Sequence, residues 1–217
     1  MTSADERPVW YASYGSNCSR DRFLTYLRGG RAEGAGRDQI GARDTRDPSG
    51  DEPVRFETAV CFVGRSTRWG GAPAFLEHDR SARPGALGRR YRVTRQQFAD
   101  VLAQESGRPF DSVPLPDLDE LEPGTRVVIG DGFYDALVVL APIDGVPCLS
   151  FTSPQPPDAR EPSPPSEPYL RTIITGLAEV HDLDDEALAT HLSASRGIRP
   201  TWTLAAMTAL LGRGAQH

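Results

Sequence analysis

Tyr11-Ala12-Ser13-Tyr14-Gly15-Ser16-Asn17 is the stretch around which the chain is read. Val9 to Tyr14 is a short apolar run of strand length, Gly15-Ser16-Asn17 is a turn, and an amphipathic segment, Ser19 to Leu27, follows at once. A strand that passes through a tight glycine turn into a helix start gathers several unbonded backbone N–H groups at one point. Such a point binds anions and stabilises negative charge that develops during a reaction. Glycine there permits a positive φ and a close approach of ligand to backbone. An ordinary strand-to-helix turn has the same local pattern, so the turn by itself leaves both readings open.

The 217 residues make one domain large enough to bury a core without staples. The expected organisation is a flexible N-terminus over 1–7, a main domain over 8–195 and a helical extension over 196–217. A net charge of −6 argues against a nucleic-acid partner. No apolar run approaches a membrane span, and Met1 to Pro8 lacks the apolar segment of a signal peptide. A cytoplasmic protein with no membrane partner is expected, as a monomer or a homodimer. Cys18, Cys61 and Cys148 are scattered and odd in number, which fits reduced thiols. No Cys/His cluster has zinc-ligand spacing, so no metal is expected.

The first helix is capped by Asn17 or Ser19 and turns Phe23 and Leu27 inward. Gly29–Pro53, rich in Gly, Arg and Asp, reads as a long surface loop. Val54–Phe62 reads as one strand with Val54, Phe56, Val60 and Phe62 on one face. Trp69-Gly70-Gly71 is a turn, and Ala72–Glu77 and Leu87–Val93 are further strands. Gly88, inside the last, suggests a second backbone close by. Thr94-Arg95-Gln96-Gln97 is a capping box. The helix it opens carries Phe98, Val101, Leu102 and Glu105 on one face and ends at Gly107. A carboxylate on an apolar stripe is a candidate general acid/base, because burial raises its pKa. The blander reading is a side chain that reaches water from the last turn or pairs with an arginine.

Strands follow at Arg126–Ile129, Tyr134–Leu140 and Val146–Phe151, then an extended proline-dense segment over Pro154–Pro168. Ser166 caps a helix bearing Tyr169, Ile173, Ile174 and Leu177; Asp184 caps another; Pro200–Leu211 is the last. Tyr169, at the helix start, either places its hydroxyl in a cavity or is a core tyrosine. The four histidines read as surface residues. Strands outnumber helices in the middle without strict alternation, which predicts an α+β fold with a curved, barrel-like mixed sheet and flanking helices.

Four separated stretches resemble one family. Tyr11–Asn17 is similar to the signature loop of the γ-glutamylcyclotransferase-like family. Trp69–Ala74 resembles its second glycine segment. Gly88–Glu105 resembles the strand and helix that deliver its catalytic glutamate. Pro164–Glu179, with Tyr169, Ile173, Gly176 and Glu179, resembles a later helix. The resemblance spans about residues 9–192. It implies a small mixed β-barrel flanked by helices, with a cavity at one end and no cofactor. It also implies a reaction in which the α-amine of a γ-glutamyl group attacks its own δ-carbonyl, releasing 5-oxoproline and an amine or amino acid. Carried over position by position, Glu105 is the catalytic residue. Tyr11, Ser13, Tyr14, Gly15, Ser16, Asn17 and Tyr169 are the substrate-binding set, with N–H groups near Gly15 and Ser16 holding either the oxyanion or the substrate α-carboxylate. The sequence departs from the family at Ser13, at Ser106, at Cys18, which reads as a small apolar helix residue rather than a nucleophile, and in the 29–53 and 107–123 loops.

Overall fold

The first strand, β1 (Pro8–Ser13), sits inside a six-stranded sheet, and its alternation decides the layering. Val9 and Tyr11 point to one face, Ala12 and Tyr14 to the other, and the two sets belong to separate buried clusters. The computed structural model describes residues 5–34, 36–79 and 83–212. Expectations for residues 1–4 and for His217 fall outside them.

After β1 come a 3-10 turn over Ser16–Cys18, α1 (Arg20–Arg28), β2 (Gly50–Arg55), β3 (Val60–Phe62), β4 (Ala74–Leu76), β5 (Leu87–Thr94) and α2 (Arg95–Ser106). Then follow β6 (Arg126–Val128), β7 (Ala136–Ile143), β8 (Val146–Thr152), α3 (Glu167–Ala178), α4 (Asp185–Ser193) and α5 (Leu204–Gly212). The large sheet has the order β2-β5-β1-β8-β7-β6. Its β1–β8 pair is parallel and its other pairs are antiparallel, with Tyr11 opposite both Tyr91 and Leu149. The α+β class with a mixed sheet and flanking helices is as read from the sequence. The sheet, however, is open from β2 to β6 and does not close into a barrel.

α1 and α2 cover the Val9/Tyr11 face, burying Phe23, Tyr26, Leu27, Phe98, Val101 and Leu102. With 9 residues, α1 is too short to be stable alone. Burial of its large side chains, at roughly 1.5–3 kcal/mol each, holds it in place. α3, α4 and α5 cover the other face through Tyr169, Ile173, Leu177, Leu188 and Met207. The Thr94/Gln97 capping box forms as expected, and Gly107 ends α2 in the left-handed region at φ 67°. Gly88 is where the sequence asked for a close backbone: an added Cβ would lie 2.1 Å from the Ser13 carbonyl oxygen. The carbonyls of Asp5 and Arg7 accept from the Gln96 and Arg95 N–H groups at the start of α2.

Several expectations are corrected. The loop ends at Ser49, because β2 begins at Gly50. Val54–Phe62 is two strands in different sheets, broken at residues 56–59, although Val54, Phe56, Val60 and Phe62 do share one cluster. The 154–168 segment contains a 3-10 turn at Pro157–Ala159. Ser166 occupies the N-cap of α3, but its hydroxyl makes no capping bond. The last helix starts at Leu204, not Pro200.

The described histidines are half-buried, not surface residues. His181 bonds through Nε2 to the Gly88 carbonyl at 2.8 Å. Burial, and then the neighbouring Arg55 charge, holds His191 below the ordinary histidine value; burial does the same to His181 against the opposing Gly88 bond. A depressed folded pKa means the unfolded chain binds more protons as pH falls through the window below about 6.5. Stability is therefore expected to drop as the pH falls below about 6.5. Thermal melts across that range check this, and the drop should shrink in His191→Gln.

Candidate active site

The turn after β1, the C-terminal end of α2, the loop before Trp69 and the first turn of α3 meet at one cavity of about 220 Å³. Each site residue expected from the sequence lines it: Tyr11, Ser13, Tyr14, Gly15, Ser16, Asn17, Glu105 and Tyr169.

Ser19 caps α1 by accepting from the Arg22 N–H, so the Ser16–Cys18 turn precedes the helix as a separate bend. Among the described residues, no hydrogen-bond acceptor meets the backbone N–H of Gly15, Ser16 or Asn17. Gly15 has φ −109°, so a positive φ is not the reason for glycine. The reason is Tyr169, whose hydroxyl lies 3.1 Å from where a Cβ would stand. That hydroxyl accepts from the Ala74 N–H at 3.2 Å, and its ring packs on Trp69 with centroids 5.1 Å apart. Tyr14 donates to the Phe151 carbonyl at 2.8 Å, and Tyr91 donates to the Asn17 carbonyl at 2.8 Å. The wall is thus fixed by tyrosines bonded to backbone.

Glu105 faces inward as its place on the α2 stripe requires, and its side chain is 12% exposed. The expected apolar setting is not what surrounds it. Its Oε1 accepts from the Tyr26 hydroxyl at 2.5 Å and from Asn17 Nδ2 at 3.2 Å, and its Oε2 accepts from Arg68 Nη1 at 2.9 Å. Inward, at this last turn, means the cavity wall. The arginine pairing and the cavity position occur together.

Tyr26 and Arg68 are the residues that sequence reasoning missed. Tyr26 lies three positions after Phe23 on the same helix face, a signal that was available. Arg68 comes from an irregular loop, where no periodicity marks it. Burial first, and then the Glu105 charge, pushes the Tyr26 hydroxyl well above the ordinary tyrosine value, so it remains a donor. Burial works against the Arg68 cation, but Glu105 and Tyr26 more than offset it, and its pKa rises. Asn17 Nδ2 also donates to Tyr11 at 3.1 Å, which ties the glycine turn, β1 and the α2 carboxylate into one unit.

Cys18 is fully buried, and burial pushes its thiol up to about 12. Its Sγ donates to the Ser13 carbonyl at 3.4 Å, so it packs as a small core residue. Among the described residues, no group of His, Cys, Asp and Glu is arranged to hold a metal ion, and no helix is long and apolar enough to cross a membrane. In the β6–β7 connection, Asp135 accepts from Arg108 and Ser106 at the end of α2 and from the Gly132 N–H, which pins the segment presenting Phe133 and Tyr134 to the cavity.

No family model matches the chain. Histone deacetylase 5 of Arabidopsis thaliana is 33% identical over 193 residues, covering 82% of this chain. The chain spans only 29% of that protein. A solved structure described as a gamma-glutamyl cyclotransferase matches with a TM-score of 0.50 and 19% identity, covering 96% of this chain and 99% of that one. An uncharacterized protein from Homo sapiens matches with a TM-score of 0.50 and 19% identity, over 94% and 99% of the two chains. The chain has the γ-glutamylcyclotransferase-like fold.

Proposed function

We propose that this chain is a cyclotransferase that converts γ-glutamyl amides to 5-oxoproline and a free amine or amino acid. The observation that carries the reading is that the Glu105 carboxylate and the unbonded N–H groups of the Gly15–Asn17 turn share one small cavity, joined by the Asn17–Glu105 bond.

The chemistry follows from those groups. The substrate α-ammonium gives a proton to Glu105. The freed nitrogen attacks the δ-carbonyl carbon, a C–N bond closes the five-membered ring, and the carbonyl oxygen becomes an oxyanion. Turn N–H groups stabilise that charge, one such donor being worth roughly 3 kcal/mol. Glu105 then returns the proton to the departing nitrogen as the original amide bond breaks, and takes from the ring nitrogen its second proton, which the released amine carries away as an ammonium. Water is not consumed. A cavity this small favours a folded substrate, with its amine already beside the carbonyl.

The test is to incubate the protein with a panel of γ-glutamyl dipeptides and γ-glutamyl amines and to detect 5-oxoproline by mass spectrometry. Amine release without 5-oxoproline would point to another amide reaction at the same site. The Arg68–Glu105 ion pair favours a second reading, a non-catalytic domain that binds a small molecule here. In that case no panel member is turned over, and Glu105→Gln leaves ligand affinity intact.

Tyr26→Phe removes the hydroxyl that fixes Oε1 of Glu105. It is expected to lower kcat by about 10- to 100-fold with little change in KM, since a slightly misplaced base costs rate more than binding. Steady-state kinetics checks this; a kcat within about twofold of wild type would mean that the bond does not orient the base.

A further inference from the structure

Arg22 is the largest of the fully buried side chains, at 1% exposure. It donates to the Tyr26 hydroxyl at 2.9 Å and to Thr25 Oγ1 at 3.0 Å, and its Nε has no partner. The rings of Tyr26 and Trp69 lie 4.5 and 5.7 Å from its guanidinium carbon. Among the described residues no carboxylate pairs with it. Arg68, whose side chain is 10% exposed, pairs with Glu105 alone. The Tyr26 hydroxyl accepts from both guanidiniums and donates to Glu105, so the four side chains form one cluster.

The cluster holds two guanidiniums and one carboxylate, which leaves one positive charge in excess and largely out of water. Buried charges are ordinarily matched, because an unmatched one is costly. Acidic residues are not scarce in a chain of net charge −6, yet no second one stands here. Of the two arginines, only Arg68 lines the cavity. Its Nη1 serves Glu105 and Tyr26. Its Nη2 reaches only the Gln104 carbonyl, at a long 3.5 Å, and its Nε has no acceptor. Nε and Nη2 form one edge of the guanidinium fork, the shape that takes a carboxylate with two bonds.

We propose that Arg68 binds the substrate α-carboxylate through this edge, and that the Gly15–Asn17 turn is thereby left to the oxyanion. The assignment rests on the cyclotransferase reading. The α-carboxylate and the α-amine are borne by one carbon atom. Docking the first on Arg68 therefore brings the second to Glu105, which the same guanidinium already holds.

The test pairs a γ-glutamyl amide with the matching 4-aminobutyryl amide, which lacks only the carboxylate and would close to 2-pyrrolidinone. Wild type should favour the glutamyl substrate by about 100-fold in kcat/KM. In Arg68→Gln the preference should fall below about fivefold. Damage to Glu105 is common to both substrates and cancels in the ratio. A preference in Arg68→Gln within about threefold of wild type overturns the proposal. Should circular dichroism show that variant unfolded, Arg68→Lys carries the test: it keeps the charge but loses the fork, and a preference reduced by at least about tenfold supports the assignment while an unchanged one overturns it. If wild type turns over neither amide, the cyclotransferase reading fails, and the same ratio is read from calorimetric affinities. A glutamyl preference erased by Arg68→Gln then sustains the carboxylate site, and equal wild-type affinities remove it.

Discussion

Glu105→Gln is expected to lower kcat for 5-oxoproline release by roughly 10³- to 10⁴-fold, at the upper end of what one general acid/base contributes. Glutamine has nearly the same shape, but it can neither take the ammonium proton nor return it. Its amide keeps an acceptor for part of the Tyr26 and Asn17 bonding, and it leaves Arg68 without its carboxylate. Leaving that buried guanidinium without its carboxylate costs about 3 kcal/mol, which lowers the melt by roughly 6–12 °C in a chain of this size. Glu105→Ala removes the same chemistry with a larger structural cost, because no side-chain oxygen then remains to accept from Tyr26, Asn17 and Arg68. Kinetics and melts on both variants separate chemistry from stability. Near-normal activity in Glu105→Gln would place the base elsewhere and end the catalytic account.

Gly176→Ala is expected to destabilise the protein by about 3 kcal/mol or more, lowering the melting temperature by roughly 6–12 °C. Two effects oppose each other here. In a helix interior alanine is favoured over glycine by about 1 kcal/mol. Against this, the new Cβ would lie 2.0 Å from the Ser19 nitrogen and 2.2 Å from the Cys18 carbonyl carbon. Both atoms are backbone, so α3 or the turn before α1 must move as a unit. The overlap outweighs the propensity gain. Because that turn also forms the cavity wall, activity should fall with stability. Calorimetry decides it: a melt that rises would mean the helix and turn separate easily.

Local chemistry made much of this legible in the sequence. The Thr94/Gln97 box, the alternation of β1, the glycine at 88 and the inward place of Glu105 each depend on residues only a few positions apart. β2 stayed hidden because it is an edge strand. Its Gly-Asp-Glu-Pro-Val-Arg fully buries Val54 alone, and Pro53 is tolerated there since one side of an edge makes no ladder bonds. The openness of the sheet is a matter of which strands pair, and no single stretch encodes that. The polar surroundings of Glu105 were out of reach for the same reason: Tyr26 is 79 positions away and Arg68 is 37. A stripe shows that a side chain turns inward, but not whether other segments have brought oil or charge to meet it.

The cavity wall draws on β1 and its turn, the loop at Arg68, α2, β8 and α3, which are far apart along the chain. No peptide cut from the protein carries the whole set, and early helix formation during refolding would not restore it. Recovered turnover, rather than recovered helicity, is therefore the natural clock for the last step of maturation in this molecule.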